Sequence, residues 1–307
     1  MEKSTFPRVR AESGQTPPDL SVFAWLSIGT ALLTIGLKFG AFLLTGSMGL
    51  LADAAESVVN LVAAIIALAA LKVAARPADA GHHFGHGKAE YFSAGLEGLM
   101  IFIASGVILV GAVQRFLHPE PLQSLGIGLG ISTIASALNG TVALVLLRAG
   151  RQHRSATLTA DGKHLMTDVW TSAGVIVGII LVGVTGWERL DPVVAAIVGV
   201  NILVTGYRLV SQSATALLDA ALPDEDLAEV NRVLDALRTA EVDFTELRTR
   251  ASGRNRFVTL TVLVPGGWTV DRGHDAADRI EAEIASALPD THVQTHLEPR
   301  SHPRPAR

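Results

Sequence analysis

The chain has no cysteine and few aromatic residues, with two tyrosines and four tryptophans among 307 residues. Without thiols it has neither disulfide staples nor thiolate metal sites. Metal chemistry, if present, falls to His, Asp, Glu, Asn and backbone oxygens. Charge is scarce as well: 18% of residues are charged against 49% hydrophobic, and mean hydropathy is +0.38. Soluble domains rarely carry so little charge beside so much apolar mass. The net charge of −4 and the lack of a basic stripe with interleaved aromatics exclude a nucleic-acid partner. No nucleophile–base pair, phosphate loop or metallohydrolase motif is visible, which argues against an enzyme. Residues 1–20, with Lys3, Arg8, Arg10 and the Pro17-Pro18 pair, read as a disordered tail. They lack the short apolar core and small-residue cleavage site of a signal peptide.

What is abundant is apolar sequence in blocks. A bilayer core takes about 20 apolar residues per helix, and six windows reach or approach that length: Val22 to Leu44, Met48 to Ala74, Ala89 to Phe116, Leu125 to Leu147, Thr157 to Val184 and Asp191 to Ala214. Basic residues orient them. Lys3, Arg8 and Arg10 precede the first window, Lys72, Arg76 and Lys88 flank the second connection, and Arg148, Arg151 and Arg154 crowd the fourth. The other connections hold little beyond Arg115 and Arg189. Six spans over residues 21–215 therefore place both chain ends and both basic loops in the cytosol.

From residue 216 to 300 the composition becomes that of a soluble domain. Glu225 to Ala240 carries a helical stripe of Leu227, Val230, Val233, Leu234 and Leu237. Phe244 to Arg250 and Arg256 to Val264 alternate like strands. Thr269 to Leu288 is again an amphipathic helix, and His292 to Leu297 a short strand. The order α-β-β-α-β predicts a small α+β module with helices on one face of a sheet. Residues 301–307 read as a second disordered tail.

Polar residues inside the apolar windows carry the functional signal. Glu56 and Asn60 are four apart in the second window, and His164 and Asp168 are four apart in the fifth. Each pair occupies one helix face. Two such faces turned together would set four donors around one point, which suits a tetrahedral divalent ion. Intramembrane ionisable groups are costly and mark pathways, although a lone Asn commonly bonds a neighbouring helix. Asp53, one turn before Glu56, has two readings: admitting the ion or tying helices together. A second cluster, Asp79, His82, His83 and His86, lies in a Gly-rich loop. A third, His274, His292, His296 and Glu298, lies near the C-terminus, with His296 and Glu298 on one strand face. Singly, such histidines are surface residues more often than ligands.

These residues resemble the cation diffusion facilitator family, in particular its bacterial zinc/proton antiporter branch. The run Gly46 to Ser57 is similar to the family's second-helix signature, Phe84 to Glu90 to its following loop, and Leu218 to Asp224 to its passage into the cytosolic domain. The likeness extends over nearly the whole chain past the first twenty residues. It implies a homodimer in the bacterial inner membrane, exchanging a divalent cation for protons across six transmembrane helices, followed by a ferredoxin-like cytosolic domain. It implies a transport site at Glu56, Asn60, His164 and Asp168, a loop site at Asp79, His82 and His86, and a cytosolic site at His274, His296 and Glu298. It also implies a structural link between Lys88 and Asp219.

The sequence departs from the family pattern in two places. The second helix offers Glu56 and Asn60 where Asp or His followed by Asp is usual, and Thr245 and Thr261 stand where zinc members carry cytosolic histidines. Zinc is the expected cargo and regulatory ion, with manganese, iron, cobalt or cadmium compatible with the donors. A non-transporting membrane metal sensor or scaffold is the alternative of a different class.

Overall fold

A computed structural model describes residues 19–45, 48–118, 126–187 and 189–300. The expected tails fall almost wholly outside that range, and some side chains inside helices, Asp53 and Glu56 among them, are outside the description too. The chain begins with six long helices: α1 (Ser21–Thr45), α2 (Met48–Ala74), α3 (Ala89–Leu117), α4 (Gly126–His153), α5 (Ala156–Thr185) and α6 (Leu190–Leu217). The fourth outruns its apolar window by six residues because Arg148 to His153 continue the helix with polar sequence, which hydropathy does not register.

Small side chains let these helices approach closely. One cluster joins α1, α2, α4 and α5 through Ala24, Ala64, Leu68, Ala143, Leu146 and Leu158. Another joins α3, α5 and α6 through Ala94, Ile101, Ala160, Ile202 and Leu209. Where α3 crosses α6, a Cβ on Gly206 would lie 2.7 Å from the Phe102 nitrogen, and one on Gly98 would lie 2.7 Å from Leu209 Cβ. Such crossings are typical of helices packed within lipid. The outer faces carry exposed Trp25, Leu32, Leu33, Val107, Val110 and Ile197, the reverse of a water-facing surface.

Among the described residues, four helices are long and apolar enough to cross a bilayer: Ser21–Gly40, Ala89–Leu117, Thr133–His153 and Pro192–Leu217. The second contributes a shorter apolar stretch, Asn60–Ala74, among the described residues. The fifth bears Asp161, Lys163 and Asp168 in its first half. The second and fifth helices are thus the two whose composition is least like a simple span.

The C-terminal unit follows the expected α-β-β-α-β order: α7 (Asp224–Leu237), β1 (Asp243–Ser252), β2 (Asn255–Val264), α8 (Val270–Ala287) and β3 (Thr291–Pro299). The sheet order is β1-β2-β3, antiparallel in the first pair and parallel in the second. Val230, Leu234, Ile280 and Ile284 of the helices bury against Val258, Leu260 and Val262 of β2. The first of these helices stops at Leu237, not Ala240. Arg238 turns to extended backbone, and the Thr239 hydroxyl accepts the Glu241 and Val242 amides at 3.3 and 3.0 Å, a local turn that competes with the helix.

Candidate metal centres

Facing side chains of α2 and α5 meet inside the helical domain. His164 Nε2 lies 2.8 Å from Asn60 Oδ1, and Asn60 Nδ2 donates to Asp168 Oδ2 at 2.5 Å. One carboxamide therefore bridges the imidazole and the carboxylate. Asn60 and His164 are 5% and 7% exposed, so the contact is sheltered from water. Asn139 of α4 also donates to Asp168 Oδ2, at 3.3 Å. It is a participant that the sequence did not reveal. Glu56 lies one turn before Asn60 on the same helix, but its side chain is outside the described residues.

The loop between α2 and α3 holds the second cluster. Ligand atoms of Asp79, His82 and His86 lie within 4.8 Å of one another, and this is the one such group of three or more among the described residues. The turn is built around the Asp79 carboxylate: its Oδ1 accepts the Gly81 and His82 amides at 2.9 and 2.8 Å. Those bonds hold the Asp79 carboxyl below the usual carboxylate range. His82 and His86 rings are 4.3 Å apart. His83 is exposed and is not part of the group.

The rest of this loop joins the helical domain to the C-terminal unit. Gly85 adopts φ 78°, a conformation that favours glycine. Gly87 packs against the Ser252–Gly253 backbone with no room for a side chain. Arg250 lies over both Phe84 and Phe257, 4.5 Å from each ring centre. Lys88 Nζ is 2.9 Å from Asp219 Oδ1, and Arg250 is 3.3 Å from the same atom. The Lys88 hydrogen bond is the main cause of a lowered Asp219 pKa. Glu90 accepts from Ser155 Oγ and from the Thr157 amide at 3.4 Å, placing its carboxylate at the start of α5, where the helix dipole favours an anion.

The third cluster does not assemble within one chain. His274 pairs with Asp278 along α8 at 3.5 Å, and His296 with Glu298 along β3 at 3.3 Å. His292 stacks on Phe257 at 5.2 Å. Sheet register does set Thr245 opposite Thr261 and Thr261 opposite His296, so the two threonines and His296 form one row across the sheet.

Comparison with known proteins agrees with this division. The cation efflux transmembrane domain matches residues 24–218, and the cytoplasmic domain of cation efflux proteins matches residues 222–300. An uncharacterized transporter of Synechocystis sp. is 50% identical over 282 residues, covering 92% of this chain and 91% of its own. The cation-efflux pump FieF of Klebsiella pneumoniae is 32% identical over 286 residues, and that of Salmonella typhi 30% over 283, each covering 92% of both chains. Two domain matches in the expected order, together with relatives aligned along nearly their whole length, make this chain a member of the cation efflux, or cation diffusion facilitator, family of membrane transporters.

Proposed function

We propose that this protein exports a divalent transition-metal ion in exchange for protons, with zinc as the leading cargo. It would work as a homodimer of six-span protomers in the bacterial inner membrane, with N- and C-termini in the cytosol. The observation that carries this reading is the convergence of Asn60, His164 and Asp168 between α2 and α5. Glu56, one turn away on α2, supplies the fourth ligand. One imidazole nitrogen with oxygen donors suits zinc and also accepts manganese, iron, cobalt or cadmium.

The contacts suggest how cargo and proton exclude each other. An ion coordinated by His164 needs the imidazole lone pair, whereas the bond from Nε2 to the Asn60 carbonyl oxygen uses that nitrogen as a donor. Metal binding therefore displaces the hydrogen on Nε2, released as a proton where His164 is an imidazolium and moved to Nδ1 where the ring is neutral, and turns the Asn60 amide from bridge to ligand. Free imidazole titrates near ~6.5, which makes His164 the best proton carrier of the set. Rocking of helix pairs around the fixed centre would alternate its access. The Asp79–His82–His86 site and the His274, His296 and Glu298 positions serve as regulatory metal sites in this reading.

Purified protein in liposomes tests it. Zinc flux should be accompanied by counter-movement of protons, and a panel of zinc, manganese, iron, cobalt and cadmium should rank the cargo. Metal binding with no flux of any of these ions would favour the sensor or scaffold.

A further inference from the structure

Two fully buried acids lie near the proposed transport centre and take no part in it. Glu97 of α3 is 0% exposed, and neither of its carboxylate oxygens has a hydrogen-bond partner. Asp161 of α5 is 1% exposed. Its Oδ1 accepts from Ser27 of α1 at 3.2 Å, while its Oδ2 has no partner. The two carboxylates are electrostatic neighbours, and Ser93, one turn before Glu97, lies beside them with its own Oγ outside hydrogen-bond geometry. Neither acid forms an ion pair with Lys or Arg among the described residues. Buried oxygens are ordinarily satisfied, and three carboxylate oxygens of two neighbouring acids without a hydrogen-bond partner call for something positive between them.

Their position along the helices gives the cluster a purpose. Asp161 precedes His164 by three residues, about 4.5 Å of helix rise, and Asp168 by seven, about 10 Å. It therefore lies on the side of the centre facing the C-terminal unit, where Arg154 bonds Asp290 at 3.1 Å and Lys88 bonds Asp219. Glu97 lies nine residues, about 13 Å of rise, inward from Lys88. The acids thus stand between the cytosolic mouth and His164.

We infer that Glu97 and Asp161, supported by Ser93 and Ser27, form a second cation site, an all-oxygen staging point for a divalent ion on its way to His164 and Asp168. Its role in transport rests on the proposed function, but its existence as a metal site does not. Two carboxylates balance a divalent charge. Protons neutralise the two acids only one at a time, whereas one oxygen-ligated divalent cation balances both and bonds all three open oxygens together. Lacking imidazole, the set holds zinc less tightly than a centre with His164. An ion can therefore bind there and still move on, as conduction through successive sites requires.

Manganese alone is a suitable probe, since it favours oxygen ligands and is counted directly by electron paramagnetic resonance. The parent for the test is the full-length protein carrying His164→Ala, Asp79→Ala and His86→Ala, which disables the proposed centre and the loop site. Glu97→Gln or Asp161→Asn in that parent should remove one bound manganese per protomer or weaken it at least tenfold, and Glu97→Asp should largely retain it. Thermal shifts on adding manganese, larger in the parent than in either amide variant, confirm that folded protein is being compared. An unchanged manganese count in both amide variants, or no manganese bound in the parent that they could remove, overturns the inference. Because the readout is binding, it stands apart from any failure of the transport assay.

Discussion

His164→Ala and Asp168→Ala each reduce metal flux in liposomes by at least about a hundredfold, while the protein still assembles in the membrane. Loss of a residue that merely orients a metal ligand costs 10–100-fold in affinity or activity, and here the residue lost is the proposed ligand itself. Removal of either also strands its neighbour. Asn60 presents its oxygen to His164 and its nitrogen to Asp168, so either deletion leaves one end of the amide without its partner and the remaining ligands without their geometry. The thermal melt separates this from a folding defect: flux collapses while unfolding shifts by a few degrees. Flux within about twofold of wild type in both variants would show that cargo passes elsewhere.

Asn60→Asp produces the opposite imbalance. In the present arrangement a neutral amide separates His164 from the Asp168 carboxylate, with 2.5 Å between Asn60 Nδ2 and Asp168 Oδ2. A carboxylate in its place sets two anions in near contact, an arrangement that persists only with a proton or a cation between them. The ion then gains an anionic ligand, and the KM for metal falls about tenfold, equivalent to about 1.4 kcal/mol. Release becomes slower, so kcat falls as well. Protons now compete at the shared pair, and the KM of the variant rises more steeply as pH is lowered. Measured flux curves at two or three pH values check all three effects. A KM unchanged at every pH would remove Asn60 from the ligand set.

The sequence displayed much of this arrangement because the physics behind it is local. Apolar blocks gave the helices, and a spacing of four residues gave the shared face on which His164 and Asp168 both reach Asn60. What it concealed depends on approach between distant segments. Asn139 is a lone amide in an apolar window, indistinguishable by pattern from any helix-bonding Asn until α4 brings it to Asp168. Glu97 is likewise a single acid, and Asp161 was overshadowed by His164 three residues later. An acid in an otherwise apolar run, read against the cost of burying it, is the available signal for Glu97, whereas Asp161 stands among the polar residues that open α5. In the C-terminal unit His274, His292, His296 and Glu298 share a composition but not a location. His274 rides a helix, His292 stacks on Phe257, and His296 extends a row of threonines across the sheet. The loop signature gained its physical meaning only in three dimensions, where Phe84 meets Arg250, Gly87 meets Gly253, Lys88 meets Asp219 and Glu90 meets the start of α5.

Anomalous X-ray scattering from crystals of the zinc-loaded protein tests the central claim most directly. The account predicts a zinc peak between α2 and α5, about 2.0–2.2 Å from His164 Nε2 and from an Asp168 carboxylate oxygen, with the Asn60 amide no longer spanning the two. Zinc found at Asp79, His82 and His86 but not between these helices, with Asn60 still bridging His164 and Asp168 at saturating metal, would contradict it.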